Sequence, residues 1–190
     1  MRTETIATRR LILRRLRVAD AGPLHQNCSS DPETARYLKR RAVADPQETA
    51  ALVAEWVQGY ETEDFFLWGI ELDGEVIGTV NLHDVCRDME SCEIGYSIGS
   101  RWWNRGIMTE AATAVVKHAF DKLEMRRISG WCAAENIGSA RVMEKIGMQK
   151  EGCARQALRL NDGRLSDQLW FAILRDDLHA PPLTRQEESS

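Results

Sequence analysis

From Cys92 to Ala111 the chain reads CEIGYSIGSRWWNRGIMTEA: a strand, a loop bearing Gly, Arg, Trp and Asn, then the opening of a helix. The first N–H groups of a helix have no partner within it, and its dipole is positive at that end. A loop feeding such an end binds an anion, and a pyrophosphate suits it. Gly106 lets the backbone approach closely, and Arg101 and Arg105 add positive charge. The loop matches neither G-x-x-x-x-G-K-[ST] nor G-x-G-x-x-G. A plain strand-to-helix connection with exposed arginines is the alternative. A second stretch, NIGSARVMEKIGM from Asn136 to Met148, opens on a helix cap and puts Ser139 in the first turn. Asn136 is then a cap alone, or its amide and Ser139 also face a ligand.

The elements that must hold these residues are legible in turns and periodicity. Arg10 to Leu16 reads as a first strand, and Asp20 as the cap of a helix reaching Ser30. Asp45-Pro46 with Glu48 opens a helix running to about Tyr60. Asp73-Gly74 joins Phe65–Leu72 to Glu75–Leu82 as a hairpin, and Cys92–Ile98 is the next strand. In Ile107–Leu123, residues Met108, Ala111, Ala112, Val115, Ala119, Phe120 and Leu123 make one helical face. Arg127–Ala133 is a strand, the Asn136 helix ends at Gly147, and Gln149–Leu160 and Leu165–Leu174 flank a second turn at Asn161-Asp162-Gly163. The order β-α-α-β-β-β-α-β-α-β-β predicts a mixed α/β (or α+β) sheet.

Composition narrows the function. The chain has 190 residues, enough for one domain with a real core. Its 25 Lys and Arg against 29 Asp and Glu leave a net charge of −4, which argues against nucleic acid as a partner. Arg9, Arg10, Arg14, Arg15 and Arg17 form a local basic run, read mainly as solvent-facing strand residues. The longest apolar runs have six residues, far short of the ~20 a membrane span needs. Met1 to Arg10 lacks the apolar stretch of a signal peptide, so a cytoplasmic protein is expected. Five cysteines without C-x-x-C spacing read as reduced thiols, with no metal implied. Residues 1–179 are expected to form a single domain, and 180–190, with Pro181 and Pro182, a disordered tail.

Taken together, RWWNRGIMTEA and NIGSARVMEKIGM resemble the acetyl-CoA signature of the GNAT superfamily of N-acetyltransferases. TRRLILRRL at the start and KEGCARQALRLNDGRLSDQLWFAI near the end give the RimJ/RimL flavour, that of enzymes acetylating protein N-termini in bacteria. The resemblance implies a splayed mixed sheet of about seven strands with about four helices. It implies that Trp103, Asn104, Arg105, Gly106, Ile107, Met108 and Thr109 hold the pyrophosphate of acetyl-CoA. Tyr96, Ser97 and Ile98 would pair with the pantetheine arm as an added strand does. Asn136 would bond the pantetheine or cysteamine part, Arg141 the nucleotide end, and Ser139 would sit by the sulfur as its proton donor. Asn104 stands where the family has Gly, and Met108 where it has Gly or Ala. Met143 replaces a tyrosine acid found in many members, and Leu158 a glutamate proposed as the RimL-type base.

The reaction implied is direct attack of an amine on the thioester in a ternary complex. An ammonium cannot attack, and a positioned base contributes ~10²–10⁴-fold. Glu93 ranks first as that base, then His83, whose ordinary pKa near ~6.5 suits the task, with Asp84 and Glu151 behind. A surface salt bridge is the plain alternative for Glu93. Trp102 and Trp103 are candidates to line the cleft and Trp68 to border the acceptor site, with core or rim packing as the plain alternative for each. Three readings of function compete: acetylation of a peptide or protein N-terminal α-amine, acetylation of a polyamine or aminoglycoside, and a non-catalytic acyl-CoA-binding module. A homodimer through the late strands is a further expectation.

Overall fold

A computed structural model describes residues 2–179. Eight strands form one sheet in the order β1-β2-β3-β4-β5-β6-β8-β7. The strands are β1 (Ile6–Ala7), β2 (Ile12–Arg14), β3 (Phe66–Leu72), β4 (Glu75–Cys86), β5 (Ser91–Ile98), β6 (Arg127–Ala133), β7 (Gln149–Arg159) and β8 (Leu165–Leu174). The helices are α1 (Ala21–Leu24), α2 (Pro32–Ala35), α3 (Pro46–Gly59), α4 (Ile107–Asp121) and α5 (Ile137–Lys145). Both hairpins fall where the turn residues require them. Asp73 and Gly74 both take positive φ, the pair of angles that matches strand twist in a two-residue loop.

Two expectations at the start of the chain need correction. The expected Arg10–Leu16 strand is the three-residue β2, and β1 precedes it. Asp20 does not cap with its side chain. It closes a 3-10 turn, Val18–Asp20, and its carboxylate takes the Arg14 guanidinium at 2.7 and 2.9 Å. Arg15 reaches the Thr3 carbonyl and lies over the Tyr60 ring. Arg14 and Arg15 are thus half-buried and engaged by partners within the fold, while Arg10 is exposed, as expected. The expected tail, 180–190, lies outside the described residues.

The face of α4 expected from periodicity is the face that packs. Ala111, Ala112, Val115, Val116, Ala119 and Phe120 are buried beneath the sheet, and their alanines let the helix come close. Each large apolar side chain so buried contributes roughly 1.5–3 kcal/mol. Trp68 belongs to this core, fully buried with its indole N–H on the Glu4 carbonyl, and so does not border a cleft.

The sheet divides at its middle. β4 and β5 pair along their length from Gly78↔Ile98 to Cys86↔Ser91. β5 and β6 are parallel and pair only at Ser91↔Arg127, Cys92↔Ile128 and Glu93↔Ser129. Beyond Glu93, β6 continues on β8 while Ile94–Ile98 of β5 stays with β4. A wedge therefore opens between the two strands, with unpaired backbone along one edge of β5. No described helix is long and apolar enough to cross a membrane.

Candidate active site

The turn that opens α4 lies at the mouth of this wedge. Gly106 is the N-cap, with φ 70° and ψ 6°. Asn104 is also left-handed, at φ 58°, a conformation that Asn tolerates and Gly prefers. Such a turn leaves successive N–H groups facing outward, the geometry of an anion nest. Met108, which stands where the family has Gly or Ala, is buried in the core with the rest of the α4 face. Trp103 is half-exposed and donates its indole N–H to the Ile98 carbonyl at 2.9 Å, tying the loop to the end of β5. Trp102 is buried with the Arg101 guanidinium over its ring.

The start of the chain braces the turn, which motif reading did not reveal. Arg10 donates Nη1 to the Arg105 carbonyl at 3.0 Å and Nε to Glu110 at 2.7 Å. Glu110 also accepts from the Thr8 hydroxyl and the Arg10 N–H. Partial burial opposes ionisation of Glu110, but these donors hold its carboxyl below its usual value. In a trans peptide the carbonyl and the next N–H point opposite ways. Pinning the Arg105 carbonyl therefore aims the Gly106 N–H away from Arg10. The signal that could have revealed this was a charge pair, Arg10 and Glu110, placed a hundred residues apart and so invisible to local patterns.

On the helix side of the wedge stand Asn136, Ser139 and Tyr96. The Asn136 amide oxygen accepts the Ser139 N–H at 3.1 Å, as a cap does. Tyr96 of β5 donates to the Ser139 carbonyl at 3.1 Å, and its hydroxyl lies 3.0 Å from Ser139 Oγ. Burial raises the Tyr96 phenol above its usual range. It also pushes the Cys132 thiol, next to Ser139, up to about 11. Arg141 is exposed on α5, with no carboxylate partner among the described residues. Met143 is buried under Gly130, a packing residue rather than an acid.

The opposite face gathers the titratable groups. His83 pairs with Glu93 across β4 and β5. Adjacent strand residues normally face opposite ways. A register shift after His83 and a φ of 50° at Asp84 break that alternation, as bulges do. Asp84 Oδ2 then meets His83 Nδ1 at 2.9 Å. His83, Asp84 and Glu93 each bring a donor atom within 4.8 Å of the others. With Nδ1 protonated toward Asp84, Nε2 carries the lone pair, and it lies over Gly95. Glu93 Oε2 is buried and has no hydrogen-bond partner among the described residues. That is a costly state for a carboxylate oxygen unless a donor arrives. Ser97, on the same face, lies 3.4 Å from the Cys28 sulfur.

Other candidates stand elsewhere. Glu151 is held by Arg127 through two bonds of 2.7 and 2.6 Å and is not one of the grouped His83, Asp84 and Glu93. Leu158 is buried with Ala133 and Leu160 against Tyr37 and Trp131, so the position is part of an apolar wall.

Residues 10–149 match the family model described as an acetyltransferase (GNAT) domain, and the chain belongs to that family. The N-acetyltransferase YoaA of Bacillus subtilis is 31% identical over 158 residues, covering 82% of this chain and 89% of that one. The [ribosomal protein uS5]-alanine N-acetyltransferase of Escherichia coli is 34% identical over 104 residues, 54% of this chain and 53% of that enzyme. The GNAT-family acetyltransferase structure from Bacillus anthracis superposes with a TM-score of 0.79 at 26% identity, covering 91% of this chain and 99% of that one. RimL, the ribosomal L7/L12 α-N-protein acetyltransferase solved with coenzyme A, shares the fold at 22% identity and a TM-score of 0.81, covering 92% and 99%. The protein is thus an acetyl-CoA-dependent N-acetyltransferase of the GNAT type with the splayed sheet of that fold.

Proposed function

We propose that the acceptor is the α-amine of a peptide or protein N-terminus, and that Glu93 takes its proton. The buried, unpartnered Oε2 of Glu93 carries this reading. It sits where β5 and β6 part, the point at which a thioester threaded along β5 meets an amine from the other face. The amine nitrogen attacks the carbonyl carbon, the C–N bond forms, and the C–S bond breaks. The amine proton passes to Glu93, directly or through His83, whose Nδ1 is engaged by Asp84. The sulfur leaves toward Ser139, whose hydroxyl supplies a proton with Tyr96 behind it. Cofactor roles follow the same logic: N–H groups from Trp103 to Thr109 for the pyrophosphate, the edge Tyr96–Ile98 for the pantetheine, Asn136 beside it, and Arg141 toward the nucleotide.

Support for a protein acceptor comes from relatives whose names specify ribosomal proteins. Thiol release from acetyl-CoA tests the reading, with N-terminal peptides in one pool and polyamines and aminoglycosides in another. Release with peptides, and a product mass placing the acetyl group on the α-amine, is expected. Release with small amines alone overturns the peptide acceptor. Acetyl-CoA binding without turnover in either pool favours a binding module.

A further inference from the structure

The run Arg36-Tyr37-Leu38-Lys39-Arg40-Arg41 holds four cations and no carboxylate, in a chain whose net charge is −4. It follows α2 and lies against the acceptor face of the wedge. Lys39 Nζ stands 5.3 Å from the centre of the Trp131 ring. Trp131 is two residues beyond Ser129, the partner of Glu93, so the three share a face of the sheet. Burial raises the Cys28 thiol, and the charge of Arg40 lies near enough to oppose that rise. Cys28 in turn touches Ser97, on the same face as Glu93.

The backbone of the run is pinned. Asn161 donates its amide to the carbonyls of Ala35, Leu38 and Arg40 at 2.6, 3.3 and 3.2 Å. Just beyond the run, the Val43 N–H donates to the Ser29 carbonyl at 2.8 Å. Arg36, Lys39, Arg40 and Arg41 are all exposed. Arg36 has Glu33 at 3.4 Å; the other three have no carboxylate partner among the described residues.

A fixed cationic rim is a poor neighbour for a cationic substrate. A polyamine or aminoglycoside meets like charge there, whereas carboxylates following a single amine meet opposite charge. We propose that the preferred acceptor is an α-amine followed by acidic residues, whose carboxylates lie along the 36–41 rim while the amine reaches Glu93. This deepens the peptide reading above and rests on it. An extended peptide turns every second side chain to the same side, ~6.6 Å apart, so alternate acidic residues can meet cations of the rim. A small amine with one carboxylate uses only one of them.

Three hexapeptides test this, with the same first residue and with Asp/Glu, Ser/Gly or Lys at positions two to five. The expected order of kcat/KM is acidic, neutral, basic, with about tenfold or more between the extremes at low salt. The gap should narrow as salt rises to ~0.5 M, because screening shortens the reach of exposed charge. The triple variant K39E/R40E/R41E should invert the order and leave KM for acetyl-CoA unchanged. K39Q/R40Q/R41Q should level it, and a matching melting temperature for each variant shows that the fold is kept. Equal efficiency on all three peptides, or an order that the triple variants leave in place, overturns the acidic preference while the peptide acceptor stands. Refusal of all three peptides alongside acetylation of spermine or a free amino acid overturns both.

Discussion

The two flanks of the splayed half of β5 are built on opposite principles. Toward α4, the proposed cofactor site runs nearly continuously from Tyr96 to Thr109 and offers mainly backbone: an unpaired strand edge and a left-handed turn at Asn104 and Gly106. Toward the proposed acceptor side, side chains gather instead: His83 and Asp84 of β4, Glu93 of β5, and the cationic run 36–41. A backbone site depends on conformation and tolerates changes of side chain. A side-chain site depends on chemical identity and on the packing that aims each group. Substitutions on the first flank should therefore act on acetyl-CoA affinity, and those on the second on turnover.

The largest effect on the cofactor flank is expected from Gly106→Val. A β-branched residue at φ 70° is strained by more than the ~1–2 kcal/mol of an ordinary side chain there. Relieving it must turn the peptide proposed to face the pyrophosphate. The dissociation constant for acetyl-CoA, read by calorimetry, should rise about a hundredfold, equal to ~2.7 kcal/mol. Ser139 is the exception on the helix side, because it offers a hydroxyl and not backbone: Ser139→Ala should lower kcat about tenfold with little change in acetyl-CoA affinity. An unchanged kcat removes Ser139 from proton delivery and leaves Asn136 and Tyr96 as the functions of that helix end.

Arg10→Ala sharpens the comparison because Arg10 touches the turn only from behind. Its loss should raise KM for acetyl-CoA about three- to tenfold and leave kcat nearly intact, as expected when about 1 kcal/mol of preorganisation is removed. A smaller, purely structural effect belongs to Asp20→Asn. Burial works against the charged Asp20, yet Arg14 and the Arg17 N–H hold its carboxyl below 3.8. A carboxyl depressed in the fold contributes stability above its unfolded pKa, and that contribution fades as pH falls through the folded value. The variant should therefore lose about 1–3 kcal/mol at pH 7 in urea unfolding. The gap to the wild type should close as pH falls below 4. Activity per folded molecule at pH 7 should not change.

The same contrast explains how much was legible beforehand. The hairpins, the α4 face and the left-handed turn before α4 are written in adjacent residues, through Asp73-Gly74, the three- and four-residue apolar steps, and Gly106 at a helix start. Glu93 and His83 were found as candidates, but not the bulge at Asp84 that brings its carboxylate round to His83. A left-handed Asp inside a strand leaves no local trace in the sequence. Asp20 does hold the N-cap position of the helical run that ends at Ser30, but its carboxylate is taken by Arg14 and the Arg17 N–H and makes no bond to α1. Trp68 takes the core reading, one of two the sequence leaves open, because strand alternation does not say which face meets α4 and the helix covers that face. The rim at 36–41 gained meaning only when Trp131 and Asn161, far along the chain, came to lie against it.

Glu93→Gln tests the division of labour most directly, with kcat on a peptide acceptor and the dissociation constant of acetyl-CoA measured on the same preparation. The amide keeps size and hydrogen bonding but cannot take a proton. The expected result is a fall in kcat of about a hundredfold, within the range of a lost base, with acetyl-CoA affinity unchanged. A variant that turns over like the wild type, or one that loses acetyl-CoA affinity in step with kcat, contradicts the assignment of Glu93 to the acceptor flank.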